Sequence, residues 1–342
     1  MAYDSNVSNG LRLLSLDGGG VRGLSEILIL EQIMKGIQDR EHLDVPPEPW
    51  QYFDLIGGTD AGGIVALMIG RLRMSLQDAK QAYLALEKKV FSARNFFGEG
   101  KFKASVFEQE VKRVVQKKET SPEAKMIDNS NQSTKTFVCA IPAADITTPR
   151  LFRTYAVGTR EPFDCTIWEA ARATSADPTL FTRIRIGEDG HVEDFIDGGL
   201  GFNNPAELIL EEAKRLFPDR SLACLLSIGA GKRAAIRLME PTLLQKAFRR
   251  RRLPSALKAT VNDTEGVAER ISKESTKVAS SFLYFRFNVQ YGLEDIGLTD
   301  WKKMNLIFTY TNAYLQQERH LLSSAIEILT SRPRDMGVPS LL

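Results

Sequence analysis

Cysteine is scarce in this chain: Cys139, Cys165 and Cys224 are odd in number, far apart and form no CxxC pair. That excludes a disulfide framework and fits reduced, buried thiols in a cytosolic protein. Histidine is equally rare, with only His42, His191 and His320. No His/Cys/Asp group falls at ligand spacing, so neither a metal nor another cofactor is expected, and no calcium dependence. Apolar runs stay short; Ile64 to Ile69 is among the longest, and it is far from spanning a membrane. A net charge of +2 supplies no broad field to draw nucleic acid, so no such partner is expected and any membrane contact must be local. The stretch 1–10 is polar and lacks the basic start and apolar core of a signal peptide. A cytoplasmic protein with transient membrane association is the expectation.

What the chain does have is enough length, 342 residues with 43% hydrophobic, to bury a large core. Leu11 to Leu16 reads as a buried strand stopped by Asp17-Gly18-Gly19-Gly20, followed by a helix over 24–37. Tyr52 to Ile56 reads as a second strand, stopped by the glycine-rich stretch 57–63 and followed by a helix over 64–72. Two strand–glycine turn–helix units argue for a mostly parallel sheet covered by helices. Further strands are expected at 136–141, 151–157, 183–186, 192–196 and 222–228, with helices at 75–90, 105–116, 167–174 and 205–216. Beyond residue 255 the pattern is mainly helical, broken by the apolar run 282–289. The organisation expected is a flexible 1–10, one domain over 11–330 with a mobile polar loop at 117–135, and a tail at 331–342.

Three motifs carry chemistry. Gly58-Thr59-Asp60-Ala61-Gly62 has the frame G-x-S-x-G with aspartate at its centre. Such a strand-to-helix turn holds its central residue in a strained backbone that only small neighbours such as Gly58 and Gly62 permit. The same turn also suits Asp60 as a plain helix N-cap. Asp17-Gly18-Gly19-Gly20-Val21-Arg22-Gly23 matches G-x-G-x-x-G, yet the acidic residues at the distance a dinucleotide fold requires, Asp39 and Glu41, lie in a helix tail. The better reading is an oxyanion hole of backbone amides, with Arg22 adding positive charge or pairing at the surface. Asp197-Gly198-Gly199 follows a strand, where α/β sheets place their sites, although D-G-G also makes an ordinary turn.

Taken together, these motifs resemble the patatin-like phospholipase family, as do Ala171-Arg-Ala-Thr-Ser175 with Pro178 and Phe181, Asn203-Asn-Pro205 and Ser227-Ile-Gly229. The resemblance runs over about residues 11–315, and the segment 284–301 looks most like fungal members. It implies a three-layer α/β/α sandwich, an acyl-lipid substrate such as a glycerophospholipid, and a Ser–Asp dyad without histidine. Asp60 stands where the nucleophilic serine belongs, Asp197 matches the general base, and Gly18, Gly19 and Gly20 match the oxyanion loop. Asp177 departs from the small residue of many members.

An aspartate has no hydroxyl proton to give, so hydrolysis of lipid esters is expected to be very poor. Beside Asp197 it also makes a carboxylate pair, one of which should have a raised pKa. A carboxylate at a helix N-terminus, facing a glycine loop, is expected to turn into that loop in the manner of a bound oxyanion. Deliberate replacement of the nucleophile is the favoured origin of Asp60. The alternatives are a natural pseudoenzyme serving as a lipid-binding or signalling module, and Asp60 acting as a nucleophile itself. Arg249 to Arg252 make the strongest basic run, either a solvated helix end or a contact for anionic headgroups. Phe91, Phe96, Phe97 and Phe102 are candidates for an acyl groove or for core.

Overall fold

The computed structural model describes residues 10–95, 100–130, 134–158, 163–187, 192–232, 263–277 and 282–331. Their centre is one sheet of eight strands: β1 (Leu11–Leu16), β2 (Leu55–Thr59), β3 (Lys135–Pro142), β4 (Arg150–Arg153), β5 (Ile184–Ile186), β6 (Glu193–Asp197), β7 (Leu222–Ile228) and β8 (Leu283–Phe287). The order is β5-β6-β3-β2-β1-β7-β8, with β4 also paired to β3. The run β3-β2-β1-β7-β8 is parallel throughout, and β4, β5 and β6 join antiparallel at the β3 side.

Helices cover both faces: α1 (Leu24–Glu41), α2 (Asp60–Ala66), α3 (Leu76–Ser92), α4 (Ala104–Gln116), α5 (Ile167–Thr174), α6 (Ala206–Leu216), α7 (Thr264–Ser275), α8 (Met304–Gln317) and α9 (Arg319–Thr330). The period-two alternation of β1 explains the two layers. Leu14 and Leu16 pack with Ile29 and Ile33 of α1, while Leu11 and Leu13 face Ile209 and Ala213 of α6 and Ile271 of α7. All six residues of β1 are buried, as a parallel strand sandwiched between helices requires. The result is a three-layer α/β/α sandwich.

Local chemistry sets the helix starts. Ser75 accepts from the Asp78 amide at the head of α3 (3.0 Å), and Thr166 with Glu169 forms a capping box at the head of α5.

Several elements differ from the sequence expectation, among them β4, which ends at Arg153 rather than at 157, and α1, which runs on to Glu41. The second strand is not Tyr52 to Ile56 but runs from Leu55 through Gly57 and Gly58 to Thr59. Pro49 opens a 3-10 turn that consumes Tyr52, and the glycines answer crowding rather than chain reversal. A Cβ on Gly57 would lie 2.6 Å from the Phe137 ring, and one on Gly58 2.2 Å from the Gly62 carbonyl oxygen. The helix expected over 64–72 begins at Asp60 and loosens into a π turn at Leu67–Arg71. From that turn Arg71 reaches the carbonyls of Lys125 and Met126 and the carboxylate of Glu119, attaching the polar segment after α4. The apolar run 282–289 supplies the edge strand β8.

Candidate active site

β2 ends by delivering Asp60 in the left-handed backbone region, φ +49°, a conformation costing a non-glycine residue about 1–3 kcal/mol. Several contacts hold it there. The Asp60 amide donates to Thr174 Oγ1 (2.9 Å), whose hydroxyl donates to the Cys139 carbonyl (2.6 Å). The Gly62 amide donates to the Asp17 carbonyl (3.0 Å), an approach that a Cβ on Gly62 would block at 2.4 Å. The helix N-cap is Thr59, not Asp60.

The glycine loop leaves β1 beside this turn. Asp17 is buried and paired with Arg286 of β8 (2.7 Å), which also reaches Glu265 of α7 (2.8 Å). The Gly18 amide donates to the Asn203 carbonyl (2.9 Å), and Asn203 Nδ2 returns a bond to the Gly18 carbonyl (3.1 Å). Gly18 is therefore committed to holding the loop, and the open donors are the next two amides. Gly20 has φ +54° and backs onto Leu298, where a Cβ would lie 2.2 Å from the carbonyl oxygen. Tyr83 donates to the Gly20 carbonyl (2.6 Å), fixing that peptide. Arg22, assigned to the oxyanion loop by sequence, bends back to the Gly19 carbonyl (3.4 Å) and stays out of the cleft lining.

Those two amides have an occupant. Asp60 Oδ2 accepts from the Gly19 and Gly20 N–H groups, each at 3.1 Å. The carboxylate thus sits where a developing oxyanion would be held. Burial raises the Asp60 pKa above the usual aspartate value; the Gly20, Ala61 and Gly19 amides pull it down, and Asp177 pushes it up. The sequence had assigned the repulsion to Asp197, but Asp177 exerts the larger effect.

Asp197 closes β6. Ala140, its partner on β3, lies one residue beyond Cys139, the partner of Thr59, so Thr59 and Asp197 stand in neighbouring rows with one strand between them, and Asp60 follows directly on Thr59. Asp197 Oδ1 accepts from the Gly199 amide (2.7 Å), and a Cβ on Gly198 would lie 2.4 Å from the Cys139 carbonyl oxygen. Gly20, Asp60, Asp177 and Asp197 all line one narrow cleft, whose room for water-sized groups is about 20 Å³. Its other walls include Ile64, Phe91, Phe107, Leu180 and Phe181.

The patatin-like phospholipase family model matches residues 14–210. The chain belongs to the patatin-like phospholipase family. Among its relatives is the human calcium-independent phospholipase A2-gamma, 32% identical over 236 residues, covering 65% of this chain and 28% of that protein. The rabbit protein of the same name is 27% identical over 339 residues, covering 94% of this chain and 40% of its own. This chain therefore spans less than half the length of these relatives. The crystal structure of VipD from Legionella pneumophila aligns with TM-score 0.43 and 13% identity, covering 90% of this chain and 67% of that one.

Within this patatin-like site, other sequence candidates fall elsewhere. His42 and His320 are exposed, and His191 lies outside the described residues, as do Phe96, Phe97 and Arg249 to Arg252. Phe91 lines the cleft while Phe102 packs behind it, edge-on at 5.0 Å. Among the described residues no His/Cys/Asp/Glu group is placed to hold a metal, and no helix is long and apolar enough to cross a membrane. Sequence reasoning missed Glu26 and Glu87, both buried beneath the loop with pKa values well above the usual range, chiefly through burial. Only Glu87's spacing of four from Tyr83 hinted that it shares a helix face with it.

Proposed function

We propose that this chain has the architecture of a phospholipase A-type acyl hydrolase, acting on carboxylic esters of glycerophospholipids, and that Asp60 holds it in a catalytically silent state. One observation carries the reading: the Asp60 carboxylate accepts from the Gly19 and Gly20 amides. With a serine at residue 60, the hydroxyl gives its proton to Asp197 and attacks the ester carbonyl. The carbonyl oxygen takes the two amides as it becomes negative; the ester C–O bond then breaks, the lysophospholipid alcohol leaves with the proton from Asp197, and an acyl-serine remains. Asp197 then activates water to release the fatty acid. With aspartate there, the attacking hydroxyl is missing and the oxyanion site is filled from within. The substrate reaches the cleft from a membrane surface, in a cytoplasmic setting.

The test compares this chain with Asp60→Ser on phosphatidylcholine vesicles, reading released fatty acid. The expected result is background release from the former and clear release from the latter. A folded Asp60→Ser protein that releases nothing from phospholipid or from a simpler acyl ester would sink the reading.

A further inference from the structure

Exposed cations lie on the two segments that frame the mouth of the cleft. Residues 93–95 and 101–103 pair as a short antiparallel ladder, with Arg94 opposite Phe102. The Phe102 amide donates to the Leu180 carbonyl (2.9 Å), and its ring meets Phe91 edge-on at 5.0 Å. Leu180 and Phe91 both line the cleft, so the ladder belongs to its rim, where Arg94, Lys101 and Lys103 are exposed. The loop from β8 to α8 supplies another part of the rim through Leu298. In that loop Trp301 draws two exposed lysines, Lys88 Nζ at 6.0 Å and Lys302 Nζ at 5.7 Å from the ring centroid.

The neighbours Lys89 and Lys303 are neutralised by Glu110 (2.9 Å) and Asp300 (3.2 Å). Lys88, Arg94, Lys101, Lys103 and Lys302 have no carboxylate at ion-pair distance among the described residues. Glu294, in the same loop as Trp301, turns its carboxylate onto the Gly292 amide. Inside the cleft the sign reverses, since Asp60, Asp177 and Asp197 line it. A small free anion is repelled from the opening itself, whereas an extended negative surface meets the cations around it. Trp301 and Tyr291, the latter 80% exposed in the same loop, combine an apolar body with a polar edge and suit the headgroup level of a bilayer.

We propose that this rim docks the cleft onto an anionic phospholipid surface, with Lys88, Arg94, Lys101, Lys103 and Lys302 meeting headgroup phosphates and Trp301 seated among them. This rests on the reading of the cleft as an acyl-lipid site, and it names the surface on which that site works. Each basic side chain close to an anionic bilayer strengthens binding by about fivefold, and the attraction fades within a Debye length, so it is sensitive to salt.

The test is a co-sedimentation measurement that needs no turnover. The full chain is titrated with vesicles of phosphatidylcholine alone and of an equal mixture of phosphatidylcholine and phosphatidylserine, at low and high salt. The mixed vesicles should bind at least about tenfold more tightly at low salt, and the preference should shrink as salt is added. Combining Lys88→Gln, Lys101→Gln and Lys302→Gln should weaken binding to the mixed vesicles by about a hundredfold. Combining Lys35→Gln, Lys214→Gln and Lys277→Gln removes the same charge away from the cleft and should leave binding within about threefold. Thermal unfolding verifies that each variant is folded. Equal binding to both vesicles, equal losses in the two triple variants, or a rim triple that binds like the parent while replacement of Arg249 to Arg252 abolishes binding, each overturns the inference. Binding to neither vesicle overturns it as well. Hydrolysis of a soluble acyl ester by Asp60→Ser decides the hydrolase reading independently.

Discussion

Asp60 Oδ2 lies 3.1 Å from the amide nitrogen of Gly20, a residue forty positions earlier in the chain. With the equal contact to Gly19, this places a carboxylate oxygen on two convergent N–H groups. Hydrogen bonds to a charged acceptor contribute about 1.5–3 kcal/mol each, enough to offset the strain of the left-handed backbone at Asp60. The site is closed by its own side chain.

If a serine at residue 60 restores turnover, the base should be Asp197. Adding Asp197→Asn to Asp60→Ser is expected to lower kcat by about 10²–10⁴-fold while KM changes little. Steady-state kinetics on a soluble acyl ester tests this. A kcat that stays within threefold of Asp60→Ser alone removes Asp197 from the reaction.

The elbow depends on contacts that no side chain tolerates. Gly62→Ala places a methyl 2.4 Å from the Asp17 carbonyl oxygen, and Gly58→Ala one at 2.2 Å from the Gly62 carbonyl oxygen. Each should destabilise the protein by about 1–3 kcal/mol or more, because backbone rather than a flexible side chain must yield. Urea unfolding reads the difference, and an unchanged midpoint would contradict the packing described.

Arg286 links the glycine loop to the far edge of the sheet. Arg286→Met breaks the pair with buried Asp17 and is expected to cost about 3–5 kcal/mol. In the Asp60→Ser background, Arg286→Lys should retain more hydrolytic activity than Arg286→Met. Equal stability of Arg286→Met and the parent in denaturant titration would argue against the link.

Glu87 gives a pH signature. Its folded pKa is raised, mainly by burial and then by Asp60, so the folded state holds its proton more tightly than the unfolded chain. The stability contribution is thus fully present below the ordinary glutamate range and is lost as pH rises toward the folded value. Glu87→Gln, which cannot ionise, should be more stable than the parent at pH 8, with the gap closing toward pH 4 (roughly the unfolded range). Thermal melts across that range decide it; a gap of constant size would show that Glu87 does not titrate as described.

Local patterns in the sequence were sufficient for the layers and for the residues of the turn. Short, mostly apolar runs such as 11–16 and 222–228 mark buried strands by themselves, and a frame like Gly58 to Gly62 announces a tight strand–helix junction. The order of strands, the commitment of the Gly18 amide to Asn203, and the reach of Arg286 to Asp17 involve partners 185 and 269 positions apart. No periodicity encodes those. For Asp60 the motif already carried the expectation that its carboxylate turns into the glycine loop, and the contacts to Gly19 and Gly20 bear it out; the distance between loop and turn was set by how β1 and β2 align side by side. The chain alone named the groups; only the packed sheet set which N–H each oxygen meets, because hydrogen bonds at 3 Å depend on register and not on composition.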